Sequence, residues 1–141
     1  YGWGIFGDSP LVGDFDADGR DDLAQFRGTN GTWYIAYAKG GGQSVQWGEW
    51  GDIPLTYRSG GRSHVAVWRP RSSTFHALNL ATGASSQAQW GDYGDLPRFG
   101  DTDGDGSDER MVYRPRSGVW YNLERWSAVQ WGAVGDIPVA R

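Results

Sequence analysis

The chain has 141 residues, no cysteine and a formal net charge of −4 at pH 7. The acidic balance argues against nucleic acid or an anionic membrane as partner, because both require a basic surface. The absence of cysteine excludes disulfides and thiolate metal sites. The 23 glycines and six prolines interrupt the chain too often for long helices, and nine tryptophans, seven tyrosines and five phenylalanines supply the bulk for a core. We therefore expect short strands and tight turns.

One motif, Trp-Gly-x-x-Gly-Asp-x-Pro, occurs four times. Its tryptophans are at positions 3, 47, 90 and 131, so successive copies begin 44, 43 and 41 residues apart. A period of this length predicts stacked supersecondary units, since one unit cannot bury its own apolar face. We predict a single repeat domain over residues 1–141, with units at 3–46, 47–89 and 90–130 and the start of a fourth at 131–141.

Each unit contains four segments with strand character. The first segments are Leu23–Arg27, Val65–Arg69 and Arg110–Arg114. The second carry an aromatic residue at matching positions: Trp33, Phe75 and Trp120. The third end at Gln46, Gln89 and Gln130, and the fourth begin at Leu11, Leu55 and Arg98, after the proline of the motif. Four short strands per unit predict an all-β propeller with three four-stranded blades and partial ends. A β-trefoil, also built from three four-stranded units, is the alternative.

Two of the units contain an acidic loop with the same spacing. Carboxylates occupy relative positions 1, 3, 5 and 9, with a glycine at position 6 that permits a sharp turn. These residues are Asp14, Asp16, Asp18 and Asp22 in the first unit, and Asp101, Asp103, Asp105 and Glu109 in the third. Position 7 offers a main-chain carbonyl from Arg20 or Ser107. Six or seven hard oxygen ligands favour Ca²⁺.

Two other interpretations of the acidic loops are weaker. An EF-hand requires glutamate at position 12 and flanking helices, whereas Gln25 or Val112 stands there and a strand follows. Merely solvated turns would not share ligand spacing in two copies. The equivalent stretch of the middle unit, residues 56–64, has no aspartate and should not bind calcium. His64 and His76 lack partners for a transition-metal site or for catalysis.

The repeat resembles the FG-GAP or VCBS repeat, the blade of integrin α-subunit propellers and of many secreted propellers. The segments 13–24 and 100–111 are its most specific part, and the middle unit departs from the pattern. The resemblance covers nearly the whole chain. It implies a propeller with structural calcium, and it implies carbohydrate binding as one function, because related propellers include lectins.

No catalytic constellation is present, so we do not expect an enzyme. The candidate ligand-binding residues are Phe6, Trp50 and Tyr93, which recur before the second glycine of the motif, where Val134 stands in the last copy. Exposed on turns, they would form stacking platforms for sugars. The alternative is that they pack between blades. The four motif tryptophans Trp3, Trp47, Trp90 and Trp131 are stronger core candidates, because each is followed by glycine and repeats without variation. A protein-interaction, adhesion or structural module without sugar binding is the competing function.

Three blades leave two uncovered edges, since closed propellers usually need four to eight. We therefore expect either a homo-oligomer or further blades of a longer chain. The sequence has no apolar leader and no stretch long enough to cross a membrane, which predicts a mature soluble form or a piece of one. Calcium at the required level is available outside cells, so we expect secretion or display at the cell surface.

Overall fold

The computed structural model describes residues 4–138, which form three antiparallel sheets of four strands and no helix. The first sheet contains β1 (Ser9–Gly13), β2 (Asp22–Arg27), β3 (Thr32–Ala36) and β4 (Gly42–Gln46). The second contains β5 (Ile53–Ser59), β6 (Arg62–Arg69), β7 (Thr74–Leu78) and β8 (Ser85–Gln89). The third contains β9 (Leu96–Gly100), β10 (Glu109–Arg114), β11 (Val119–Asn122) and β12 (Ser127–Gln130). The all-β prediction is confirmed. Trp3 and residues 139–141 lie outside the described range.

Strands follow one another across each sheet in chain order, so every strand pairs with its sequence neighbour. Within residues 4–138, pairing does not cross from one unit to another, as it would in the barrel of a β-trefoil. The strands predicted to begin at Leu11, Leu55 and Arg98 begin two residues earlier, at Ser9, Ile53 and Leu96. That prediction was wrong because it placed the proline of the motif in the turn, whereas the proline is the second residue of the strand. These are edge strands, where a proline is tolerated.

The apolar core lies between sheets. Phe26 and Trp33 of the first sheet pack in one cluster with Val65 and Val67 of the second. The second sheet contributes its other face, including Trp68, to a cluster that joins it to the third sheet. Trp33, Val65 and Val67 are completely buried. The first strands of consecutive sheets also lie side by side. Each sheet therefore buries its apolar residues against the next sheet.

Four segments carry the repeated motif, and we call them linkers: residues 4–8 before β1, 47–52 between β4 and β5, 90–95 between β8 and β9, and 131–138 after β12. The two middle linkers connect consecutive sheets. The indole Nε1 of Trp47 donates to the carbonyl of His76, 3.1 Å away on the next sheet. Trp90 donates in the same way to the carbonyl of Tyr121, at 3.2 Å. Both tryptophans are half-buried against the core. Trp131, which we also expected in the core, is 78% exposed, because no sheet follows it within the described range.

An aspartate and an arginine join the linker to its sheet in each unit. Asp52 of the linker accepts two hydrogen bonds from the guanidinium of Arg69, at 2.9 and 2.8 Å. Its Oδ2 also accepts the amide hydrogen of Glu49, which closes the linker turn. The same double contact joins Asp8 to Arg27 and Asp95 to Arg114. The carboxylates are almost fully buried, at 7, 1 and 1% side-chain exposure for Asp8, Asp52 and Asp95.

We predict that Arg69→Ala lowers the free energy of unfolding by about 3 kcal/mol, because the buried carboxylate of Asp52 loses its paired charge. The matched control is Arg71→Ala. Arg71 is 71% exposed and also pairs with Glu49, so its loss should cost less than about 0.5 kcal/mol. Urea unfolding monitored by tryptophan fluorescence measures both. Equal effects of the two substitutions would contradict a structural role for the buried pair.

Candidate functional site: two acidic loops and a row of exposed aromatics

The two acidic loops connect β1 to β2 and β9 to β10, at the same end of their sheets. Carboxylate oxygens of Asp101, Asp103, Asp105 and Glu109 all lie within 4.8 Å of one another. In the first loop, those of Asp14, Asp16 and Asp18 meet the same limit. Two oxygens bound to one calcium at about 2.4 Å are at most about 4.8 Å apart. Both groups of oxygens are therefore close enough to bind one ion of this size.

The main chain of the two loops makes equivalent hydrogen bonds. The carboxylate at position 1 accepts the amides of positions 5 and 6, which are Asp18 and Gly19 for Asp14, and Asp105 and Gly106 for Asp101. The carboxylates at positions 3 and 5 accept equivalent amides in both loops, including the amides of Arg20 and Ser107 at position 7. The two sequences therefore fold into the same coil, which directs alternate carboxylates towards one point.

Position 9 distinguishes the two loops. Asp22 and Glu109 are both buried, and each accepts a hydrogen bond from the amide of the position 2 residue, Phe15 or Thr102. The second oxygen of Asp22 accepts the amide of Ala38 at 2.9 Å, so both of its oxygens are hydrogen bonded to the main chain. Asp22 is not part of the first carboxylate cluster, whereas the longer side chain of Glu109 reaches the second. The third-unit loop thus has the more complete set of acidic ligands.

Side-chain cations offset the negative charge of the first loop. The ammonium of Lys39 lies 2.9 Å from Asp16 Oδ2, and the guanidinium of Arg20 lies 3.1 Å from Asp18 Oδ2. The hydrogen bond from Lys39 is the main reason that the pKa of Asp16 lies below its usual value. Both cationic side chains are more than half exposed. They can therefore move into solvent when a divalent ion replaces them.

The loop of the third unit is less completely neutralised. Main-chain amides, first that of Gly106, lower the pKa of Asp101. At Asp103, the amide of Asp105 lowers the pKa, but desolvation and the charges of Asp105 and Glu109 outweigh it and leave the pKa raised. Arg125 is 3.5 Å from Asp103. Desolvation and neighbouring carboxylates both disfavour the charged form of Asp103, so a bound cation would be favourable at this loop.

The hairpin of the middle sheet lies between the acidic loops. Gly60 and Gly61 form its tight turn with φ of 62° and 77°, a conformation that strongly favours glycine. On one side, the amide of Ser63 donates to the carbonyl of Asp14 at 2.7 Å. On the other side, Arg58 exchanges two hydrogen bonds with Asp108: each main-chain amide donates, at 2.8 Å, to the carbonyl or carboxylate of the other residue. The middle unit therefore connects the two loops and has no carboxylate cluster in the described range.

His64 stands where Asp22 and Glu109 stand in the other units. It is 5% exposed, and its Nε2 lies 3.2 Å from the carbonyl of Ser59, inside the same hairpin. Burial lowers its pKa below the usual value. These features fit a structural residue of the hairpin.

The aromatic residues Phe6, Trp50 and Tyr93 lie on the linkers, at the end of the sheets opposite the acidic loops. Their exposures are 106, 79 and 80%, and Val134 at the same place in the last linker is 77% exposed. The alternative in which they pack between sheets is therefore wrong; Trp47 and Trp90 pack against the core at the two junctions between sheets. Trp50 and Tyr93 border one cleft of about 210 Å³ together with Arg69, Pro70 and Arg71.

Sequence reasoning missed three groups of residues. The Asp–Arg pairs of the linkers recur in every unit, so their repetition was an available signal. Lys39 and Arg125 reach the acidic loops from other hairpins, and no motif marks them. The docking of the middle hairpin on both loops follows from the packing of the sheets and has no local pattern.

Comparisons of the chain with protein-family models, with curated proteins and with solved structures gave no match. Among the described residues, no helix is both long and apolar enough to cross a membrane. The interpretation of the site therefore rests on its own geometry.

We predict that calcium raises the midpoint of thermal unfolding, since it binds the folded loops and not the unfolded chain. One site at about 100 times its dissociation constant adds about 2.7 kcal/mol to the free energy of unfolding. This corresponds to a shift of several degrees for a domain of this size. Differential scanning calorimetry with calcium and then with chelator measures the shift.

The double variant Asp16→Asn, Asp103→Asn removes the position 3 charge of both loops and should lose most of this shift. Asp21→Asn is the matched control, because Asp21 is exposed and lies outside the carboxylate cluster. An equal calcium response in all three proteins would rule out the loops as the site.

Proposed function

We propose that the chain is a calcium-stabilised, extracellular module of the propeller type that binds carbohydrate through its exposed linker aromatics. The observation that carries the proposal is the cleft between Trp50 and Tyr93, two exposed aromatic side chains on consecutive linkers. A contiguous exposed apolar patch, unlike a single exposed side chain, often marks an interaction site, and Trp50 and Tyr93 line the same cleft. Their flat faces suit the apolar faces of sugar rings, while neighbouring polar groups suit the hydroxyls.

The polar groups beside the cleft are held in place. Arg69 is fixed by Asp52 and by Glu49, at 2.8 Å each. Arg71, which is 71% exposed, contacts the same Oε1 of Glu49 as Arg69 does. The cleft therefore combines the held guanidinium of Arg69 with aromatic surface, and little conformational entropy is lost at Arg69 when a ligand is bound.

The role proposed for calcium is structural. The acidic loops lie at the other end of the sheets from the linkers, so an ion there would not contact a sugar bound beside Trp50. An ion bound by a full set of protein oxygens also has little room to activate water, in keeping with a binding module and not an enzyme. Outside cells, free calcium is concentrated enough to fill loops of modest affinity, which supports an extracellular location.

The propeller arrangement is supported by two features. Consecutive sheets pack face to face, and their first strands lie side by side in chain order. The acidic loops fit the FG-GAP or VCBS resemblance of the sequence. Closure of a ring would require more sheets than the three described here.

A glycan array probed with the calcium-loaded chain tests carbohydrate binding. We expect binding to a defined group of glycans, weakened about tenfold or more by Trp50→Ala or by Tyr93→Ala, because loss of a stacked aromatic ring removes a dominant contact. Trp131→Ala is the matched control: Trp131 is as exposed as Trp50 but lies on a different surface, so glycan binding should persist. Thermal unfolding verifies that each variant is folded.

No binding to any glycan, with saturable binding of a protein partner that depends on Trp50, would favour the protein-interaction function instead. Glycan binding that survives both cleft substitutions would place the sugar site elsewhere.

A further inference from the structure

The third sheet has an apolar face that no other sheet covers within residues 4–138. A groove of about 760 Å³ runs along it, bordered by Met111, Trp120, Val129 and Trp131. The same face of the first sheet carries Trp33, and that of the second carries Phe75; these residues are 0 and 1% exposed, because the next sheet covers them. By contrast, Val129 and Trp131 are 56 and 78% exposed.

The first sheet has the complementary uncovered face. Val12 and Leu23 are opposite each other on β1 and β2, and they are 54 and 58% exposed. The residues at the same places in the following sheets, such as Val65 and Phe99, are 0 and 3% exposed because they pack on the sheet before them. The two uncovered faces therefore correspond to the two halves of an interface that the chain forms twice within itself.

We propose that the uncovered face of the third sheet binds the first sheet of a second copy of this chain, head to tail. The internal interfaces specify the contacts. Trp47 and Trp90 each donate to a main-chain carbonyl on the third strand of the next sheet, at His76 and Tyr121. The corresponding carbonyl on the first sheet belongs to Tyr34, which is therefore the acceptor for Trp131 of the other copy.

A second contact involves the last linker. Asp136 accepts the amide of Ala133 at 2.8 Å, as Asp52 accepts that of Glu49. Asp52 also pairs with an arginine of the sheet that follows its linker, but in the described range no arginine pairs with Asp136. Arg27 of the second copy occupies the matching position. In that copy it is already paired with Asp8, so Asp136 and Asp8 compete for one guanidinium.

Association of two copies therefore depends on which of the two aspartates pairs with Arg27. Each internal junction contains one linker; Gly48 lies between Phe26 and Val67, and an added Cβ would be 3.3 and 3.1 Å from them. At the equivalent place on the first sheet, Gly4 packs closely against the side chain of Gln25. When two copies meet, either the first linker of one or the last linker of the other moves aside. Because the two surfaces differ, the contact is heterologous and extends to a ring or to a chain of copies.

Sedimentation velocity of the calcium-loaded chain over increasing concentration tests the proposal. We expect concentration-dependent association, weakened about tenfold or more by Trp131→Ala, as for a buried tryptophan at the centre of an interface. Trp50→Ala, the matched control, removes an equally exposed tryptophan outside the face and should leave association unchanged. A chain that remains monomeric at all concentrations overturns the proposal, as does equal sensitivity to the two substitutions.

A mixing experiment tests the head-to-tail geometry. Leu23→Lys blocks the face of the first sheet and Trp131→Ala impairs that of the third; both residues are exposed in one copy, so both variants should fold. Each variant alone should be mainly monomeric, while an equimolar mixture should form dimers through the one interface that remains intact. A mixture that stays as monomeric as its components overturns the proposed geometry.

Discussion

Each sheet of this chain can bury its apolar face only against the next sheet, and the rest of the structure depends on that constraint. Four strands of four to eight residues have too little area to form a core alone. The two apolar clusters accordingly lie between sheets and not within them. The contacts that hold one sheet at the right place on the next therefore determine both the stability of the fold and the position of its exposed groups.

Those contacts are divided between the two ends of the sheets. At one end, the linkers use a tryptophan, a glycine and an aspartate, and the carboxylate of the aspartate is buried and pairs with an arginine of the following sheet. At the other end, the hairpin of the middle sheet is hydrogen bonded to both acidic loops through Ser63 and Arg58. The loops that gather negative charge are thus also part of the connection between sheets. A cation that relieves their repulsion would strengthen the packing of all three sheets, while the linker end remains free to present its aromatics.

The repeat made much of this predictable. Glycine and proline positions, the recurring aromatics and the spacing of the motif identified all twelve strands. Errors fell at strand starts: the edge strands begin two residues earlier than predicted, and β6 begins at Arg62, three residues before the predicted Val65. The spacing of the carboxylates predicted which side chains converge, including Asp101, Asp103, Asp105 and Glu109. Each of these features involves residues that are close together in sequence, so the spacing of residue types is enough to predict it.

The remaining features depend on contacts between units. Asp22 lies outside the carboxylate cluster, and one of its oxygens accepts the amide of Ala38, which comes from a different hairpin. Trp131 has the same sequence context as Trp47 and Trp90, and only the lack of a following sheet in the described range leaves it exposed. Trp50 and Tyr93 are likewise exposed because Trp47 and Trp90 pack against the core at the junctions between sheets. Local sequence cannot distinguish such positions.

Native mass spectrometry of the chain in calcium counts the ions that the folded loops bind. We expect two specifically bound calcium ions per chain, one for each acidic loop and none for the middle hairpin. Magnesium, which requires a tighter octahedral site, should bind less well than calcium. Two results would contradict this expectation. One is a chain that binds no calcium at concentrations that fill ordinary extracellular sites; the other is an unchanged number of bound ions in the double variant Asp16→Asn, Asp103→Asn.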